Sequence, residues 1–309
     1  MLECVGGNII VIDFTWARMN ENSFGSRFPF DSLPLDSLRT RTEDVLSKKQ
    51  LDGLPSRRQI YFMSTGKYSE SLIQAARELS AKVDRLKFGA PVVHVYNPLT
   101  YAWKAHEEYL RRFGNTQKRV IFLGMNPGPF GMVQTGIPFG EIAAVRDWMG
   151  IRTKTERPSR DYLKQPILGF DCLRSEISGK RLWGLFAKQF GSPEIFFAEH
   201  FVVNYCPLAF FKENNPTRAC NLTPDKLSEL ERDRLFKICD AHLHRVLEIL
   251  KPEWLIGVGG FAEKRAQLVA GDLPVRIGQI LHPSPASPAA NRGWSEAATK
   301  QLVNLKIWK

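Results

Sequence analysis

Residues 119–140, RVIFLGMNPGPFGMVQTGIPFG, constrain this chain more than any other stretch. Val120 to Leu123 is a short apolar run without alternation, the pattern of a strand buried on both faces of a parallel sheet. The run then breaks. Asn126, Pro127, Gly128, Pro129 and Gly131 can neither continue a strand nor begin a helix, so the backbone is forced into a fixed loop at the strand's C-terminal end. In open α/β sheets that edge is where ligands bind. A polar Asn126 delivered there on a proline-stiffened loop reads as a site rather than a linker.

The rest of the chain alternates helical periods with short apolar runs. Helices are expected from Ser69 to about Gly89, at Tyr101–Phe113, Glu141–Met149, Lys180–Phe190 and Phe261–Val269, and along the tail Trp294–Trp308. A long helix is expected to start near Thr223, with Thr223 as N-cap and Pro224 in the first turn. Strands are expected at Val92–Tyr96, Phe196–Val203, Trp254–Val258 and Val275–Leu281, and Phe211–Leu222 reads as a loop. This alternation predicts an α/β fold, a three-layer α/β/α sandwich around a small, mostly parallel sheet. Residues 1–63 hold no sustained period and read as a poorly ordered extension with a short helix near 41–51, which leaves 64–309 as the folded domain.

Charge and cysteines narrow the class. The net charge is +11, yet residues 1–63 carry eight charges of each sign, so the excess lies in 64–309, with 35 basic against 24 acidic residues. A basic folded part suits a polyanion partner, and charge alone leaves a merely basic soluble enzyme equally open. Between Arg146 and Lys164 six basic residues face three acidic ones, which fits a phosphate-facing loop or a solvated one. The five cysteines form no CxxC pair and no metal spacing; this argues against a disulfide framework, a zinc site or an iron–sulfur cluster and points to a reducing intracellular compartment. The run Ile9–Ile12 is too short for a membrane span and lacks a basic leader.

Two further strand ends deliver polar residues. The expected strand 196–203 releases Asn204 into Tyr205-Cys206-Pro207-Leu208, which places a second amide in one cleft with Asn126. The last strand releases His282 into His282-Pro283-Ser284-Pro285-Ala286-Ser287-Pro288, a stiff loop with little entropy left to lose on binding. Such a loop of small residues can act as a wedge in a nucleic-acid duplex.

GMNPGPFG at 124–131, continued through GIPFGE at 136–141, together with NYCPL at 204–208 and HPSP at 282–285, resembles the single-strand-selective monofunctional uracil-DNA glycosylases of the uracil-DNA glycosylase superfamily. The resemblance spans residue 64 to the C-terminus and leaves 1–63 aside. It implies a monomeric nuclear enzyme that needs no cofactor or metal. Its activity would be to remove uracil, 5-hydroxymethyluracil and related 5-substituted uracils from single- and double-stranded DNA, leaving an abasic site in an intact strand.

By the same resemblance Asn126 holds the attacking water and His282 donates toward uracil O2 as it becomes anionic. Asn204 reads the Watson–Crick edge, Phe139 stacks on the flipped ring, and Met125, Gly128 and Met132 line the pocket, with Gly128 leaving room at C5. No lysine sits in these motifs, which disfavours a Schiff-base lyase. Ser284, Ala286, Ser287 and Arg292 belong to the DNA-facing loop. The family pattern has a bulky basic residue where this chain has Ala286 and Asn where it has Ser287; Arg292 compensates in part by holding phosphate. Further phosphate contacts are expected from Asn214, Arg218, Thr223, Pro224 and Lys226 around a helix N-terminus. The competing readings are a mismatch-directed thymine/uracil glycosylase, against which HPSP and NYCPL argue, and a catalytically silent damage-binding module.

Overall fold

The computed structural model describes residues 2–5, 8–11, 57–215 and 218–309, and the chain divides into two compact units, Met1–Ser56 and Arg57–Lys309. In the first, β1 (Leu2–Val5) and β2 (Asn8–Val11) pair antiparallel with Leu2 opposite Val11. Of the poorly ordered extension expected over 1–63, residues 12–56, with the short helix expected at 41–51, lie outside the described residues, whereas 57–63 belong to a helix.

The second unit opens on α1 (Arg57–Val83), which starts well before Ser69 and buries Leu72, Ile73, Ala76, Leu79 and Val83, the periodic positions of the sequence. β3 (His94–Tyr96) leads into α2 (Pro98–Tyr101), whose N-cap Asn97 accepts from Leu99 N–H at 3.2 Å, and then α3 (Trp103–Phe113). β4 (Val120–Gly124) is buried at every position, as its unbroken apolar run requires. The loop beyond it ends in α4 (Met132–Thr135), and a π-helical turn, Ala144–Trp148, takes the place of the regular helix expected at 141–149.

α5 (Ile177–Phe190), α6 (Pro193–Glu199) and β5 (His200–Asn204) follow. The expected strand at 196–203 is therefore shorter by its first half. Ser192 accepts from Ile195 N–H at 3.4 Å and Pro193 occupies the first helical turn, so a cap signature outweighs the aromatic pair Phe196-Phe197. Both rings still enter the core, Phe196 against Phe186 at 4.4 Å and Phe197 against Phe113 at 4.0 Å.

The expected loop at 211–222 is instead a hairpin of β6 (Ala209–Asn215) and β7 (Arg218–Leu222). Phe210 pairs with Val95 of β3, giving a separate antiparallel sheet in the order β3-β6-β7; the polar run Lys212–Asn215 conceals this strand from a hydrophobicity reading. The long helix also begins later than expected. Pro224–Lys226 forms only a 3-10 turn, Leu227 is extended and buried, and α7 (Glu229–Leu250) takes Ser228 as its N-cap. β8 (Trp254–Val258), α8 (Gly260–Ala270), β9 (Arg276–Ile280), α9 (Pro288–Asn291) and α10 (Trp294–Asn304) complete the unit.

The main sheet has the order β5-β4-β8-β9 and is parallel throughout, with Gly124 level with Asn204 and Phe122 with Ile256. Helices flank it: α1 packs on α3 and α7, α7 on α8, and α5 on α6 and α10. This is the expected α/β/α sandwich around a small parallel sheet. The chain leaves β4 toward β5 and leaves β8 in the opposite direction toward β9, so their C-terminal ends form a topological switch point.

Candidate active site

Three strand ends meet at that switch point. β4 and β5 end in register at Gly124 and Asn204, and beyond them Tyr205 N–H donates to Gly124 O at 2.9 Å and Cys206 N–H to Met125 O at 2.8 Å. The two loops thus run as one extended ladder. Asn126 is half-buried and donates its Nδ2–H to Leu208 O at 3.3 Å. With the amide nitrogen so held, the side-chain oxygen is the group left to accept from a water.

Asn204 lies beside it in a different state. Its Nδ2 donates to the Met132 sulfur at 3.2 Å, while its Oδ1 is buried with no hydrogen-bond partner. A buried unpaired carbonyl oxygen costs about 1–3 kcal/mol, and a site that waits for a donor is one reason for a protein to keep it. Met132, the first residue of α4, is buried. Gly124 permits the crowding: a Cβ there would come within 2.2 Å of Asn204 Oδ1 and 2.5 Å of Phe139 Cε2. Phe139 itself is held at φ 53°, a left-handed conformation that an aromatic residue adopts only when its surroundings impose it.

His282 follows β9, its ring 6.3 Å from that of Phe139, and it packs on Gly259, whose φ of 91° and missing Cβ admit it. Ser284 N–H donates to His282 Nδ1 at 3.1 Å, which puts the imidazole proton on Nε2. Burial lowers the His282 pKa from its ordinary value of 6.5, so at neutral pH the ring is uncharged and Nε2–H is a donor. Arg181 of α5 secures the loop by donating from Nη1 to Pro283 O and from Nη2 to Asn291 Oδ1, each at 3.0 Å. Among the described residues no group of three or more His, Cys, Asp or Glu is gathered as a metal would require.

Comparison with known proteins places this geometry. Residues 111–305 match the family described as the Uracil DNA glycosylase superfamily. The chain belongs to that superfamily. Among its similar proteins, the single-strand selective monofunctional uracil-DNA glycosylase of Rattus norvegicus is 45% identical over 77% of this chain and 85% of that protein, and the one of Bos taurus 43% identical over 77% and 87%. At that identity and coverage the chain is a member of the single-strand-selective monofunctional group within the superfamily. The crystal structure of wild-type Pedobacter heparinus SMUG2 shares the fold, with a TM-score of 0.59 over 78% of this chain and 97% of that one at 19% identity.

In this uracil-DNA glycosylase superfamily chain the residues singled out for DNA lie on three segments, the 282–293 loop, the β6–β7 hairpin and the turn before α7. Ala286 and Arg292 are exposed, Ser284 Oγ accepts from Ala286 N–H at 3.1 Å, and Ser287 Oγ caps α9 through Ala290 N–H at 3.4 Å. Asn214 and Arg218 lie on β6 and β7 of the hairpin. Thr223, Pro224 and Lys226 are not at a long helix's N-terminus, which is a correction: Pro224 is buried, exposed Lys226 pairs with Asp225 at 3.3 Å, and α7 starts at Glu229 with Glu229 and Glu231 in its first turn. Those carboxylates complement the helix dipole themselves, so this terminus offers a phosphate less than the sequence suggests.

Gly128 also has a neighbour that sequence reading passed over. A Cβ on Gly128 would meet the Glu176 carboxylate at 2.5 Å, so the glycine makes room for a protein side chain. Burial raises the Glu176 pKa, while the Phe130 N–H bond and the Arg174 charge pull it back. The sequence holds one sign of this residue, a Ser175-Glu176 pair just before a helix, which reads as ordinary capping.

Proposed function

We propose that this chain excises uracil, 5-hydroxymethyluracil and related 5-substituted uracils from single- and double-stranded DNA. It hydrolyses the N-glycosidic bond and leaves an abasic site in an unbroken strand. The observation that carries this reading is the pairing of an unpartnered Asn204 Oδ1 with a neutral His282 bearing its proton on Nε2, both at the end of the parallel sheet beside Asn126.

The chemistry follows from these groups. Rupture of the glycosidic bond leaves positive charge on the sugar and negative charge on the base. His282 Nε2–H donates to uracil O2 and strengthens as that oxygen becomes anionic, which is the interaction that lowers the barrier rather than the ground state. The electrophilic sugar needs a placed water more than a strong base, and Asn126 Oδ1 accepts from that water. Asn204 accepts from N3–H with Oδ1 and donates to O4 with Nδ2 once Met132 yields it. Cytosine presents the reverse pattern, and each buried mismatch costs about 1–3 kcal/mol. Phe139 stacks on the extruded ring, with Met125 and Met132 around it and only the backbone of Gly128 beside it, because Glu176 takes the space of its missing Cβ.

Extrusion costs roughly a few kcal/mol and is cheapest from single strands and mispairs. The 282–293 loop fills the gap left in duplex DNA, while Arg292, Asn214, Arg218 and Lys226 contact phosphate. Small Ala286 makes a weaker wedge than a bulky basic residue. The enzyme acts as a monomer in the nucleus; sedimentation of the purified chain and imaging of a tagged one test these two points.

Single-turnover base release from matched oligonucleotides carrying uracil, 5-hydroxymethyluracil or thymine, each single-stranded and paired, tests the function. Release of the first two from both forms is expected. Release confined to thymine or uracil opposite guanine makes the enzyme a mismatch-directed one, and binding of uracil-DNA without release makes it a damage-binding module.

A further inference from the structure

The loop that bears Asn126 has a half-buried carboxylate behind it. Glu176 Oε2 accepts from Phe130 N–H at 3.2 Å. Its side chain fills the space beside two glycines of the same loop: a Cβ on Gly128 would lie 2.5 Å from Oε2, and one on Gly131 would lie 2.9 Å from Cγ. Arg174, two residues earlier, stacks on the Phe130 ring at 3.8 Å. Glu176 and Arg174 thus hold Gly128, Phe130 and Gly131 of the loop, while Pro129 O accepts from Gln134 Nε2 at 3.2 Å and Gln165 Nε2 at 3.0 Å.

Glu176 is also the residue from which α5 springs, and that helix reaches the other parts of the site. At Gly179 it comes so close that a Cβ would strike Phe139 O at 2.0 Å. Ser175 donates to Glu141 Oε1 at 2.8 Å, just past the strained Phe139. One turn farther on, Arg181 binds Pro283 O and Asn291 Oδ1 of the His282 loop, each at 3.0 Å. β8 lies between β4 and β9 in the sheet, and beyond the strand ends α5 is the element that contacts both loops.

We propose that Glu176 is a positioning residue for the hydrolytic step, tying the Asn126 loop to α5 and thereby fixing the water-holding amide relative to Phe139 and His282. It touches no reacting atom; it acts through Gly128 and Phe130. This inference rests on the uracil-excision reading above. Its signature is a loss in the chemical rate without a loss in DNA binding, because a shift of about 1 Å in a reacting geometry costs on the order of 10²-fold in rate. Gln keeps the acceptor for Phe130 N–H and the side-chain volume, whereas Ala removes both.

The test compares the full chain with Glu176→Ala, Glu176→Gln, Asn126→Ala and the Asn126→Ala/Glu176→Ala double variant. It reads single-turnover uracil release at saturating enzyme, uracil-DNA affinity, and thermal midpoint. Glu176→Ala is expected to lose on the order of 10²-fold in rate with unchanged affinity. Glu176→Gln should recover most of that loss, and the double variant should be no slower than Asn126→Ala, because the two residues act through one water. Normal release by Glu176→Ala, equal losses for Ala and Gln, a loss that tracks the melting temperature, or additive losses in the double variant each overturn the proposal. Absence of uracil release by the unmodified chain overturns the excision reading itself and is seen in the same experiment.

Discussion

The loops after β4 and β9 carry the two proposed reacting groups, Asn126 and His282, but are built to opposite specifications. The Asn126 loop is tied by the backbone to β5's extension, filled from behind by Glu176, and closed by buried α4. The 282–293 loop projects Pro285, Ala286, Pro288, Ala289 and Arg292 into solvent and is held mainly from within, by Ser284, Ser287 and Asn291, and by Arg181 from α5. On the proposed reading, rigidity in the first suits a reaction that depends on the placement of a water. On the same reading, exposure in the second suits contact with a DNA strand from which a base is extruded. His282 bridges the two, because it sits at the root of the exposed loop with its ring 6.3 Å from that of Phe139.

Substitutions can break this division. The largest effects are expected from Asn126→Ala and His282→Leu, each lowering single-turnover base release by about 10²–10³-fold with folding intact, measured by rate together with circular dichroism. Near-normal rates would move the chemistry to other residues. Next comes Gly124→Ala, which drives a Cβ into Asn204 Oδ1 and Phe139 Cε2. Overpacking there should cost about 1–3 kcal/mol of stability and reduce uracil affinity, read from denaturant melts and product inhibition.

Asn204→Asp should weaken discrimination between uracil and cytosine while sparing the 282–293 loop's function, checked by competing the two substrates; unchanged preference would remove Asn204 from base reading. Ala286→Arg sits on the other side of the comparison. It should raise release from duplex a few-fold and leave single strands nearly unchanged, since an intercalating side chain matters only where a stack must be opened. Equal effects on both forms would mean that the loop is no wedge.

The smallest expected effects on activity come from pH. His282, uncharged and with a pKa lowered by burial, should give a rate that stays flat from neutral pH to below 6.5. Stability behaves differently. Burial lowers His106, His200 and His242 to about 4 from 6.5, so the unfolded chain binds protons that the folded one excludes. Their contribution is intact above pH 6.5 and is lost as pH falls toward 4, with a slope of about 1.4 kcal/mol per pH unit for each buried histidine. Urea melts between pH 7 and 4.5 measure it.

Much of the frame was legible because local rules agreed with tertiary ones. Val120–Leu123 could only be a buried strand, and a loop of Asn, Pro and Gly had to follow it. Errors arose where two local signals competed. Phe196-Phe197 looked like strand, but Ser192-Pro193 capped a helix; Thr223-Pro224 looked like a cap, but Leu227 turned inward to the core and delayed α7 to Glu229. The hairpin at 209–222 was hidden because half of β6 is polar. Asn126, Asn204 and His282 were found as polar residues ending apolar runs, and the structure brings them together. Glu176 and Arg181 carry no such mark: they act from a neighbouring helix, and only three dimensions show what they hold.

Whether one base is gripped by residues from three strand ends is decided by the structure of the protein bound to uracil. Uracil should stack on Phe139, with N3–H within hydrogen-bond distance of Asn204 Oδ1 and O2 within that distance of His282 Nε2. Uracil bound away from these residues, or with His282 bonded to it through Nδ1, would contradict that grip.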